Sequence, residues 1–99
     1  MGLCVSCSKD SEQNYKTLIV GLWQANARVQ MEFTSGGSFV KYINGNVDCS
    51  QPYSISGNTL YIYYPNGNMI EQMATIVNLD RTYLELDTNG ERLVLRRCS

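Results

Sequence analysis

The sequence contains no histidine. That removes the most frequent general base near neutral pH and the commonest transition-metal ligand. Ser–His and Cys–His nucleophile pairs are excluded with it. No run of 18 apolar residues occurs, so no segment reads as a membrane-spanning helix. Neither charge is in excess, with eight Lys+Arg against nine Asp+Glu, and the basic stripe that matches nucleic-acid phosphates is missing. No glycine-rich loop opens a helix onto a phosphate. Most of the carboxylates Glu32, Asp48, Glu71, Asp80, Glu85, Asp87 and Glu91 fall at turns or at outward strand positions. None is forced to face another in a pocket, as acid–base pairs require. The sequence therefore predicts neither an enzyme nor a cofactor site. The one CxxC spacing is Cys4/Cys7, in the leader, so no metal site is predicted either. What is present is a chain of 99 residues, 43 % hydrophobic, with only two prolines, which is one folded domain and not a disordered segment.

Residues 1–15 differ from the rest. Leu3-Cys4-Val5-Ser6-Cys7 is apolar and small, and Ser8-Lys9-Asp10-Ser11-Glu12-Gln13-Asn14 is polar throughout. This step resembles the lipobox end of a bacterial lipoprotein signal, truncated at its hydrophobic side, although Cys4 stands where a leucine is usual. The resemblance implies that Cys7 becomes the first mature residue and carries the lipid, with a polar tether behind it. It also implies a membrane partner and a place in the cell envelope, at the periplasmic or surface face of the outer membrane. Two or more acyl chains hold a protein to a membrane stably where one does not.

From residue 16 onward the chain alternates short β-like runs with turn residues. Leu18, Ile19, Val20 and Leu22 suggest one turn of helix over residues 16–22. Val29-Gln30-Met31-Glu32-Phe33-Thr34 alternates strictly, the period of a half-buried strand. Strands are expected over residues 23–27, 29–34, 38–43, 53–56, 59–64, 69–79 (with a bulge), 82–87 and 91–97. The turns are Ser35-Gly36-Gly37, Asn44-Gly45-Asn46, Gly57-Asn58, Pro65-Asn66-Gly67-Asn68, Asp80-Arg81 and Thr88-Asn89-Gly90. Loops of hairpin length make sequence neighbours spatial neighbours, which gives an antiparallel meander. Closing eight such strands into an up-and-down barrel leaves no open edge; a β-sandwich is the alternative. Alternation points Met31, Phe33, Phe39, Tyr53, Ile55, Leu60, Ile62, Tyr64, Ile76, Leu84, Leu86, Leu93 and Leu95 inward. So bulky a set predicts a filled interior over an open calyx. Cys49 and Cys98 fall at opposite ends of such a barrel, so no bond between them is expected.

Gly21-Leu22-Trp23 before the first strand and Arg97 at the end of the last resemble the lipocalin arrangement. There a tryptophan plugs the closed end and an arginine lies across its indole, a cation–π contact. Ile19-Val20-Gly21-Leu22-Trp23, the stretch 33–39, the stretch 53–60 and the stretch 84–97 together resemble the short lipocalin-like domains of Bacteroidetes lipoproteins. This resemblance covers residues 16–98. The chain is shorter than true lipocalins and lacks their C-terminal helix.

Two functions follow as expectations. The first is non-catalytic binding of a small apolar ligand in the barrel, with Phe33, Phe39, Tyr53, Ile62, Tyr64 and Leu86 as lining. Lys41 shares the parity of Phe39 and Ile43, and either meets a ligand carboxylate at the mouth or snorkels to solvent. The second leaves the barrel filled and uses Tyr61, Tyr63, Met73 and Tyr83 on the outer wall. That patch would hold a protein or glycan partner or a second copy.

Overall fold

A computed structural model of the chain describes residues 15–98. The expectations for residues 1–14, Cys7 included, lie outside the described residues. A helical turn over residues 15–18 leads into eight strands. They are β1 (Gly21–Gln24), β2 (Val29–Phe33), β3 (Ser38–Ile43), β4 (Asn46–Ser56), β5 (Thr59–Tyr63), β6 (Ile70–Leu79), β7 (Tyr83–Thr88) and β8 (Glu91–Arg97). Each pairs antiparallel with the next, and β8 returns to β1 through Trp23↔Arg97 and Gln24↔Arg96. The result is a closed up-and-down barrel, as the meander predicts, and not a sandwich of two layers.

Side-chain alternation supplies the core. Ile19, Trp23, Phe33, Leu60, Leu84 and Leu95 are fully buried, and Phe39, Ile55, Ile62, Ala74, Ile76 and Leu86 complete the cluster. One end of the barrel is sealed. The indole of Trp23 is wholly buried, and its Nε1 donates to the carbonyl of Ile19 in the N-terminal turn at 2.8 Å. The Arg97 guanidinium lies over the indole at 4.3 Å from the ring centroid. It donates to Val20 O at 2.9 Å and also to the carbonyls of Leu18 and Arg81. One planar cation thus satisfies the part-buried carbonyls of Leu18 and Val20 and adds an exposed bond to Arg81 O.

Several boundaries differ from the sequence reading. The helical turn is shorter than residues 16–22. β1 ends at Gln24 and not at residue 27, because Asn26 Oδ1 accepts from the backbone N–H groups of Arg28 and Val29 and turns the chain there. β4 begins at Asn46 and not at residue 53. Pro52 interrupts its pattern without breaking it. The strand pairs with β3 up to Pro52 and with β5 only from Tyr53 onward, so the missing N–H falls where one neighbour hands over to the next. β5 stops at Tyr63. Tyr64, expected to point inward, stands in the following turn, where its N–H donates to Met69 O, and it is exposed. Three bulges interrupt the ladders, at Asp48, Glu71 and Val77, where one residue has no opposite number.

Candidate functional site

The end of the barrel opposite Trp23 is open, and the inward positions of six strands meet there. Directly above the sealed core lies a pit of about 60 Å³, lined by Met31, Phe33, Phe39, Leu60, Ile62, Ala74, Leu86 and Leu93, with Gln72 and Thr88 at its edge. Phe33 and Phe39 form one wall, their rings tilted at 5.2 Å between centroids. Above the pit the barrel widens into a vestibule of about 430 Å³ lined by Met31, Phe39, Lys41, Cys49, Gln51, Glu71 and Gln72. Met31, Phe39 and Gln72 belong to both, so the two spaces form one funnel: apolar and narrow below, polar and wide above.

The polar rim follows from the register. Lys41 faces Cys49, and Phe39 faces Gln51, across β3 and β4, so all four point inward. Gln51 is the one buried polar residue among those described, with 8 % of its surface exposed. β5 ends before it can pair with this half of β4, and the Gln51 side chain spans the gap: Nε2 donates to Tyr63 O at 2.8 Å and to Glu71 Oε1. Glu71 is the extra residue of the β5–β6 bulge, because Ile62 faces Gln72 while Tyr63 faces Ile70. A bulge re-aims a side chain, and here it turns a carboxylate toward the mouth. Among the described residues neither Lys41 nor Glu71 forms an ion pair; the ion pairs present join Arg92 to Glu85 and Asp87 on the outer wall.

Of the residues that the sequence proposes for ligand contact, Phe33, Phe39, Ile62 and Leu86 meet in the pit, and Lys41 stands at the vestibule. Tyr53 does not join them. It packs edge-on against Phe33 with centroids 5.0 Å apart, and its hydroxyl donates to Thr34 O at 2.9 Å, on the sealed side. Burial holds the Tyr53 phenol above its ordinary pKa. Tyr64 lies outside the barrel altogether. Alternation and turn spacing give no signal for Gln51 or Gln72. Alternation puts Glu71 at an outward, solvated position, and only the bulge and the early end of β5 bring it to the mouth.

On the outer wall, Tyr61 sits opposite Met73, which is 56 % exposed, and Tyr63 opposite Ile70. Tyr83 is elsewhere, at the sealed end of β7, with its hydroxyl on Glu85 and Arg96 above its ring at 5.9 Å. The expected four-residue patch is therefore a three-residue one, extended by Met69 and Ile70. Cys49 and Cys98 are both free thiols, one in the mouth wall and one just beyond β8. A broader cleft of about 590 Å³ lies outside the barrel between the N-terminal turn and β4. Lys16 is the single charged side chain in its lining, which also includes Thr17, Ser35, Tyr53 and Ser54. Among the described residues no cluster of three or more metal-ligating side chains occurs.

The same architecture is found in a crystal structure of a lipocalin-like protein from Bacteroides uniformis. It matches 81 % of this chain and 98 % of that one with a TM-score of 0.66 and 18 % sequence identity. At that identity the likeness establishes the fold, an eight-stranded lipocalin-like barrel. No family model and no curated protein sequence matches the chain.

Proposed function

We propose that the protein is a non-catalytic binding barrel that takes the apolar part of a small ligand into the pit and keeps the polar part in the vestibule. The funnel carries this reading. An apolar recess beneath a few convergent polar groups is the usual form of a small-molecule site, and here it occupies the one open end of an otherwise filled barrel. The pit limits the ligand: a cavity of roughly 150 Å³ holds benzene, so about 60 Å³ accepts a group of a few carbons and no long acyl chain. Titration with a small environment-sensitive apolar fluorophore tests the reading. Saturable binding that is lost in Ala74→Phe, which fills the pit, supports it; binding unaffected by Ala74→Phe removes it.

The envelope address belongs to the same proposal. A diacylglyceryl group on Cys7 would tether the barrel through the polar stretch 8–14. Metabolic labelling with an alkynyl fatty acid in a bacterial host is expected to mark the full-length precursor's product and to fail in Cys7→Ser. A second use of the barrel is supported by the exposure of Met69 (65 %), Ile70 (45 %) and Met73 (56 %) beside Tyr61 and Tyr63. So many apolar side chains on one stretch of wall suit a protein or glycan partner. Light scattering that finds the same monomer for wild type and Tyr61→Ser/Tyr63→Ser would remove self-association through this wall.

A further inference from the structure

The vestibule holds two opposite charges and one acceptor, and together they specify the ligand more narrowly than its apolar tip does. Lys41 offers an ammonium from β3, and Glu71 offers a carboxylate from the β6 bulge. Neither is neutralised by a partner among the described residues. The same lining contains Gln51, more than nine-tenths buried. Both of its hydrogen bonds use Nε2. Its Oε1 has no donor among the described residues, and no side-chain oxygen there is both sealed from solvent and unpaired, so this oxygen of a vestibule-lining residue keeps access to solvent. The bond from Gln51 Nε2 fixes one oxygen of Glu71 and leaves the carboxylate with capacity to accept more. The vestibule lining thus holds one cationic donor and two acceptors, one of them anionic.

A fatty acid satisfies half of this arrangement. Its carboxylate meets Lys41 but brings nothing to Glu71 and Gln51 Oε1, and it adds a second negative charge beside the first. A simple amine satisfies the other half. A molecule with a carboxylate and an ammonium on one carbon, and a short branched hydrocarbon beyond it, satisfies all three groups and fills the pit.

We propose that the mouth binds a free aliphatic α-amino acid of valine-to-leucine size: carboxylate on Lys41, ammonium on Glu71 and Gln51 Oε1, and the branched side chain in the pit between Phe39, Ile62, Leu86 and Leu93. The proposal rests on the funnel being the ligand site and goes beyond it by naming the ligand class. Charge complementarity at the rim supplies the discrimination: a ligand without a carboxylate leaves half-buried Lys41 unpaired, and one without an ammonium brings no donor to Gln51 Oε1 or to the exposed Glu71 carboxylate.

The test is an NMR titration of the full chain with four probes: L-leucine, 4-methylpentanoate (no ammonium), 3-methylbutylamine (no carboxylate) and palmitate. Leucine is expected to saturate with shifts at the amides of Lys41, Gln51, Glu71 and Gln72, at least tenfold more tightly than either truncated analogue. Glu71→Gln is expected to erase the preference for leucine over 4-methylpentanoate, and Lys41→Gln the preference for leucine over 3-methylbutylamine. Each comparison is a ratio within one variant, so a general loss of stability does not mimic it. Equal binding of leucine and 4-methylpentanoate by the wild type overturns the proposal. Palmitate saturating the mouth where leucine does not also overturns it, while leaving the funnel as a ligand site. Failure of all four probes to shift the mouth residues overturns both.

Discussion

Arg97 combines two roles in one side chain, and a substitution separates them. Its planar fork reaches three carbonyls from the N-terminal turn and the β6–β7 turn while its face covers the indole of Trp23. A lysine keeps the charge but neither the fork nor the stacking plane. Arg97→Lys is therefore expected to cost about 2–3 kcal/mol, which in a domain of this size lowers Tm by about 10–20 °C. Arg96, exposed one residue earlier, serves as the control, and Arg96→Lys is expected to stay within about 0.5 kcal/mol. Urea unfolding of both variants measures the difference. Tyr53 gives a second test at this scale. Its phenol donates to Thr34 O, and burial raises its pKa, so the neutral form is the one the fold favours. The stability tied to that raised value is complete below about pH 10 and disappears as pH rises through it. Tyr53→Phe is expected to cost about 1 kcal/mol near neutral pH and to flatten the alkaline decline.

Turns and bulges decide what the strands present. The Asn44-Gly45 and Asn89-Gly90 hairpins both carry left-handed pairs, with φ of 54° and 83° in the first and 54° and 87° in the second. Such turns match the twist of the flanking strands, and asparagine followed by glycine adopts them at least cost. Nothing lies within 4 Å of the Cβ that Gly90 lacks, so Gly90→Ala tests backbone strain without a clash. A loss of about 1 kcal/mol is expected, read as a lower urea midpoint with an unchanged m-value. The β6–β7 hairpin carries the acid response. Backbone N–H donation from Thr82, with help from its hydroxyl and from Tyr83 N–H, holds the Asp80 carboxyl below its ordinary pKa. The Asn78 amide, then Arg92 and the Tyr83 hydroxyl, do the same for Glu85. A carboxylate whose pKa is lowered by folding stabilises the fold above its unfolded value and loses that contribution as pH falls through the folded one. Stability is thus expected to decline as pH drops below roughly 4.5. The decline should be shallower in an Asp80→Asn/Glu85→Gln double variant, followed by urea unfolding between pH 2 and 6 (roughly the range that spans ordinary carboxyl titration).

At the scale of the whole barrel, the balance between filling and binding rests on a few side chains around the pit. Leu86 is buried and lines it. Leu86→Ala is expected to enlarge the pit while destabilising the fold by about 2–4 kcal/mol. The enlarged space should admit benzene, and saturating benzene should return part of the lost Tm, because a ligand that binds the native state alone stabilises it. Calorimetry with and without benzene reads both effects. A variant whose Tm falls but does not recover would mean that the walls collapse into the space, and that the pit is not held open by the surrounding ladder.

Alternation and turn residues pointed to the antiparallel meander and its order of strands, and the resemblance carried by Gly21-Leu22-Trp23 and Arg97 implied the plug and the guanidinium across it; closure of the sheet, with β8 paired to β1, was decided by the tertiary structure. The meander depends on which face each side chain takes and on the shortness of the loops, and both are local. The pit residues Phe33, Phe39, Ile62 and Leu86 were legible for the same reason. Tyr64 was misplaced because the period was carried one residue past the end of β5, and Tyr53 because inward parity does not say at which height in the barrel a ring lies. Gln51 and Glu71 were invisible. Their approach depends on a bulge and on where β5 stops relative to β4, which are properties of register between strands. Register is a relation between segments that must already be side by side, so the mouth, its charges and its size belong to the tertiary structure, while the strands that frame them are written along the chain.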